Sequence, residues 1–141
     1  MGEKVAAKGR CLCGAVQVDV AELDTQVGVC HCNMCRTWTG GPLMAVDCGT
    51  AVVFSGEDHI SVYDSSAWAQ RGFCARCGTH LFYRLKESGQ CIMPVGLFDE
   101  PAGLHLHHQI FVDEQPAWYA FHNDTEKLTG AEVFAKYAPP E

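Results

Sequence analysis

Short runs that alternate apolar and polar residues dominate this chain. Val16, Val18 and Val20 alternate with polar partners, the pattern of a half-buried strand. Ala51-Val52-Val53-Phe54 and His59-Ile60-Ser61-Val62-Tyr63 read as two strands parted by the turn Ser55-Gly56-Glu57-Asp58. Thr79-His80-Leu81-Phe82-Tyr83-Arg84-Leu85 is another strand, ended by Glu87-Ser88-Gly89. Cys91-Ile92-Met93 and the run 106–112 also look extended, and Trp118-Tyr119-Ala120-Phe121 forms an aromatic strand candidate. Helical character is confined to 131–137 and to 32–38. No repeat, low-complexity tract or linker interrupts the pattern. The expectation is a mainly β fold with few short helices, organised as a single domain over residues 1–141.

Composition agrees with a chain that buries a core. It has 141 residues, 48% of them hydrophobic and 19% charged. The formal net charge of -7 argues against nucleic acid and against an anionic membrane surface, because both need a basic face. The opening stretch MGEKVAAKGRCLCG lacks the apolar run of a signal peptide. No stretch of about 18 apolar residues suggests a membrane span. Gly2 raises N-myristoylation, but Ala6 stands where the motif needs Ser or Thr. A cytoplasmic location is the expectation.

The cysteines change the picture. There are nine, and seven of them fall in three clusters. These are Cys11-Leu12-Cys13, then Cys30-His31-Cys32-Asn33-Met34-Cys35, then Cys74-Ala75-Arg76-Cys77. An odd total without an export signal reads better as metal ligation than as disulfides. Zinc takes thiolates at about 2.3 Å in a tetrahedron, and ligands separated by one to about four residues can span one of its edges. Gly14 and Gly78 directly follow two of the clusters, where the backbone must turn sharply.

Seven ligands suffice for one four-thiolate site, which is closed, and one three-thiolate site, which keeps a vacancy. Spacing alone does not say which clusters pair. Cys32 and Cys35 with Cys74 and Cys77 would make a ribbon-like site, but 38 residues separate those knuckles, against a usual 15–20 or so. Pairing the first cluster with the third is preferred, which leaves Cys30, Cys32 and Cys35 as an open site. A four-thiolate iron site, a redox CxxC pair and simple burial are the alternatives. Cys48 and Cys91 stand alone in strand-like runs and read as core residues.

With these clusters in place, the sequence resembles the glutathione-dependent formaldehyde-activating (GFA-type) zinc proteins, a family with a centromere protein V branch. The carriers are GRCLCGAV at 9–16, CHCNMCRTWTGGP at 30–42, RGFCARCGTHL at 71–81, and VGLFDEP at 95–101 followed by HHQIFVDEQPAW. The likeness covers roughly residues 9–118. It implies a β-rich, tent-like fold. It implies that Cys11, Cys13, Cys74 and Cys77 hold a structural zinc, and that Cys30, Cys32 and Cys35 hold a second, catalytic zinc with a free position. The founding activity is condensation of formaldehyde with glutathione to S-(hydroxymethyl)glutathione, formally a carbon–sulfur lyase running in reverse. The implied partners are therefore a small glutathione-like thiol and an aldehyde, or their adduct.

Three thiolates push negative charge onto a metal and make it a weaker Lewis acid, which favours binding a substrate thiol over activating water. Around the clusters, His31 is a proton-transfer group, a further metal ligand, or a loop histidine hydrogen-bonded to backbone. Arg36 and Arg71 either meet substrate or thiolate charge or lie solvated at the surface. Trp38 either walls the open site or packs in the core. His105, His107 and His108 look like a metal tract, but alternation sets His108 on the face opposite His105 and His107, as in an ordinary surface strand. Asp99 reads as a turn residue.

Three functions fit. A carbon–sulfur lyase needs a small-molecule pocket beside Cys30, Cys32 and Cys35. A non-catalytic interaction module predicts an exposed apolar patch and a blocked zinc position. A thiol or metal sensor predicts a weakly held second zinc.

Overall fold

The structure, a computed structural model, describes residues 2–137. Eleven strands and two α-helices run in the order β1 Lys4–Arg10, β2 Gln17–Asp24, β3 Gln26–Cys30, α1 Asn33–Thr39, β4 Leu43–Asp47, β5 Val52–Ser55, β6 Ile60–Asp64, β7 Ala69–Cys74, β8 His80–Leu85, β9 Cys91–Pro94, β10 His105–Ile110, β11 Glu126–Leu128 and α2 Gly130–Tyr137. They form a three-stranded sheet, β1-β2-β5, and an eight-stranded sheet, β11-β10-β3-β4-β9-β8-β7-β6. Neighbours pair antiparallel except β10, which runs parallel to both β3 and β11. The fold is mainly β, as the alternation predicts.

The main core lies between the sheets. Val16, Val18, Val20 and Leu23 face Val46, Leu81, Phe82 and Met93, all buried. Sequestering each such side chain from water is worth about 1.5–3 kcal/mol. Phe82 needs a bare neighbour: a Cβ at Gly72 of β7 would run into its ring. Cys48 and Cys91 belong to this core, as their isolation in the sequence suggested.

Because side chains alternate across a strand, the other face of the eight-stranded sheet carries a second, smaller cluster. It consists of Cys35, Leu43 and Ala45, with Cys30, Cys32 and Ile92 packed against it. The two cysteine sites thus fall on different faces of the large sheet.

Two expectations are corrected. Residues 118–121 form no strand. The Tyr119 carbonyl accepts a bond from Gln115 Nε2 and the Tyr119 ring stacks on His31, so tertiary contacts replace a ladder. The histidine tract does not alternate cleanly, because a register shift between Leu106 and His108 turns His107 and His108 toward each other, with Nδ1 atoms 3.1 Å apart. Among the described residues, no helix is long and apolar enough to cross a membrane.

Candidate metal centres

The first centre joins the turn after β1 to the turn between β7 and β8. Cys11 and Cys13 sit on a bend closed by Gly14 N–H donating to Cys11 O at 3.1 Å, with Gly14 at φ 78°. Cys74 and Cys77 sit on a matching bend, in which Gly78 N–H donates to Cys74 O at 2.7 Å and Gly78 has φ 81°. Both glycines occupy the left-handed region that other residues enter only at a cost. Thr79 ties the bends together: its hydroxyl accepts from Leu12 N–H at 3.0 Å and lies 3.2 Å from Cys77 Sγ. That hydroxyl contact, with the Thr79 N–H, lowers the Cys77 thiol to about 5.

Cys11 Sγ and Cys13 Sγ are 3.7 Å apart, Cys13 Sγ and Cys74 Sγ 3.9 Å, and all four sulfurs lie within 4.8 Å of one another. Sulfurs at 2.3 Å from a common tetrahedral ion would be about 3.8 Å apart, so this set fits a four-thiolate ion. The preferred pairing of the first and third clusters is the one the structure brings together.

The second centre is built at the junction of β3 and α1. Cys30 ends β3, and Cys32 caps α1 by accepting from Cys35 N–H at 3.4 Å. Cys35 lies in the first helical turn and is buried. The three sulfurs are also within 4.8 Å of one another, and among the described residues no fourth cysteine, histidine or carboxylate joins them. Without a metal, thiols this close compete for one negative charge. The Cys30 and Cys35 thiols, the Cys35 N–H and Arg71 lower Cys32 to about 2, while the same contact with Cys32 pushes Cys30 far up. Such a triad suits a soft divalent cation, which relieves that competition.

His31, between two of these cysteines, is fully buried and joins neither sulfur set. Its Nε2 lies 2.8 Å from Gln109 Oε1 and its Nδ1 2.6 Å from the Tyr119 hydroxyl. Gln109 uses its amide N–H on Thr125 Oγ1, so its oxygen accepts from His31 Nε2–H and Nδ1 accepts from Tyr119. His31 is thus bonded to side chains rather than to backbone, and it locks the Cys30–Cys32 loop to β10 and to the aromatic segment. Arg36 folds back from α1 and donates from Nε to His31 O at 2.9 Å. Glu114 Oε1 accepts from Asn33 N–H at 2.9 Å, pinning the start of α1. Nothing in local spacing points to Gln109, Glu114 or Tyr119, which reach the site from far along the chain.

Arg71 is the most unusual residue here. It is 5% exposed, and Nη1 and Nη2 each lie 3.6 Å from Cys35 Sγ. Its guanidinium sits 5.0 Å from the ring centroid of Trp38 and 5.1 Å from that of Tyr83, while Nε has no partner. Among the described residues no carboxylate pairs with it. A buried cation without a counter-anion costs several kcal/mol. Trp38 packs between Arg71, which contacts Cys35 Sγ, and His80. Asp99 lies on a bend, its N–H donating to Lys8 O at 3.1 Å, and it belongs to neither sulfur set but to the wall of an open groove of about 700 Å³.

The chain is 31% identical over 127 residues to an uncharacterized lyase of Schizosaccharomyces pombe, covering 89% of this chain and 93% of the relative. A Rhodobacter sphaeroides protein of known crystal structure shares the fold with a TM-score of 0.58 at 22% identity, over 67% of this chain and 89% of that one. Residues 6–114 match the family described as glutathione-dependent formaldehyde-activating enzyme, and the chain belongs to that family.

Proposed function

We propose that the protein is a zinc-dependent carbon–sulfur lyase acting on a thiol–aldehyde adduct, in the manner of an S-(hydroxymethyl)glutathione synthase. Cys11, Cys13, Cys74 and Cys77 hold a structural zinc in this reading. Cys30, Cys32 and Cys35 hold the catalytic one. The observation that carries it is the contrast between the two centres: four convergent sulfurs in one, three in the other with no fourth protein ligand among the described residues. Family membership and the lyase relative favour the same chemistry.

A zinc ion at the three-cysteine centre supplies a soft cation that keeps a bound thiol deprotonated at neutral pH. The residues around it do the rest. Arg71 brings positive charge against the Cys35 sulfur, and Arg36 ties α1 to the His31 carbonyl. The His31–Tyr119 bond keeps the Cys30–Cys32 loop rigid, so that three sulfurs converge. In the synthetic direction the sulfur–carbon bond forms as the carbonyl π bond opens. The carbonyl oxygen takes up a proton equivalent to the one the thiol gave up. The reverse reaction expels the thiol and regenerates the aldehyde.

The test joins metal content to turnover. Zinc is counted on the purified protein before and after mild chelation, with and without glutathione, and adduct formation is followed with formaldehyde. One firmly held and one easily lost zinc, the latter protected by glutathione, with turnover abolished in Cys35→Ser, is the expected result. A Cys35→Ser variant with full metal and full turnover would exclude the assignment. One firmly held zinc that ignores glutathione would favour an interaction module instead.

A further inference from the structure

We infer that Arg71 is the built-in counter-cation of the three-cysteine centre, setting how firmly the triad holds its metal and how readily it accepts an outside thiolate. The inference rests on the proposed metal occupancy of Cys30, Cys32 and Cys35, and deepens it.

Three thiolates and one divalent ion sum to one net negative charge, and a fourth thiolate makes it two. That charge lies against the apolar packing of Leu43, Ala45 and Ile92, where water screens little. Something buried must offset it. Arg71 points both terminal nitrogens at Cys35 Sγ and has no carboxylate partner among the described residues. An arginine cannot shed its proton to escape burial, so its charge is permanent. The protein tolerates it because the sulfur centre is the anion it pairs with.

The surroundings are built for that role. Trp38 and Tyr83 flank the guanidinium and hold it by their ring faces, restricting its motion without neutralising it. The unpartnered Nε indicates that the side chain is oriented for the sulfur and not for hydrogen-bond saturation. Two donors onto one sulfur also fix the Cys35 side chain, whose backbone N–H in turn donates to Cys32 Sγ at 3.4 Å. Arg71 therefore acts as a positioning and charge-balancing residue, with no contact to reacting atoms required.

The test compares native protein with Arg71→Lys and Arg71→Gln, using cobalt(II) and zinc as the metal probes and glutathione as the thiol. The readouts are chelator competition for metal affinity and the cobalt–thiolate absorption bands, with circular dichroism monitoring the fold. Neither readout depends on turnover. Arg71→Gln should weaken metal binding at the triad at least tenfold and weaken glutathione binding to the loaded centre further. The four-cysteine site should be unchanged. Arg71→Lys, which keeps charge but loses the two-pronged contact, should fall between. Native-like affinities in Arg71→Gln would overturn the inference, and so would equal losses in both variants, because that pattern means packing and not charge. Should Arg71→Gln not fold, Arg71→Lys decides alone: retention within about tenfold supports the role of charge, and complete loss removes it. If the native triad holds metal and thiol but yields no adduct, the lyase reading fails while the role of Arg71 is still read from these affinities.

Discussion

Residues of one chemical type have separate fates in this molecule, and burial with local charge decides which. Seven cysteines converge on two centres, whereas Cys48 and Cys91 lie in the apolar core. Burial, the leading cause, pushes both of those thiols up from 9.0, so little thiolate is present at neutral pH to react. In the metal-loaded native protein neither should be alkylated by iodoacetamide at pH 7 on the timescale of hours, and both should label at once in denaturant. Mass mapping of the labelled sites checks this, and rapid native labelling of either would contradict its placement. Histidine divides in the same way. His31 is locked by two side-chain bonds, and His107 and His108 share a contact that strict alternation forbids.

At the level of elements, strands with clean alternation were legible and strands that serve two faces were not. β2 reads from Val16, Val18 and Val20, and β8 from its leucine and aromatic run. β7 carries an inward arginine and a glycine in consecutive positions, so no period-2 signal survives there, yet it supplies Arg71 to one face and the seat of Phe82 to the other. β1, β3, β4 and β11 were likewise not read as strands, although Val27 and Val29 of β3 do alternate inward. Gly72→Ala tests the seat directly. Its Cβ would meet the Phe82 ring, and overpacking of this kind costs about 1–3 kcal/mol. Urea unfolding should show that loss, with the three-cysteine centre still binding metal, and an unchanged midpoint would mean that the ring relaxes freely.

For the whole molecule, the two centres have different leverage. The four-cysteine set ties the end of β1, in the small sheet, to the β7–β8 turn, in the large one. A metal there cross-links the sheets across the core, and its binding energy is folding energy. The three-cysteine set joins neighbouring segments on one face only. Graded chelation should therefore empty the three-cysteine centre first with little change in the melting temperature. Removal of the second metal should lower the melting temperature steeply. Zinc release followed beside circular dichroism melts checks the order, and early collapse of the fold on loss of the first metal would refute it.

By itself the sequence determined the parts of this protein that are local. Ligand spacing within a turn, a glycine after a cysteine knuckle and an alternating run all express geometry over a few residues, so CxC, CxCxxC and CxxC were readable as metal motifs. Resemblance to the family then agreed with the pairing that spacing favoured and supplied the expected chemistry. Tertiary structure alone decided what depends on distant partners. It brings Cys13 and Cys74 within 3.9 Å across 61 positions, sets Arg71 on Cys35 across 36, and places Tyr119 on His31 across 88. Such contacts arise from how two sheets stack and where their edges lie. They have no period along the chain, and the packing of the whole core selects them.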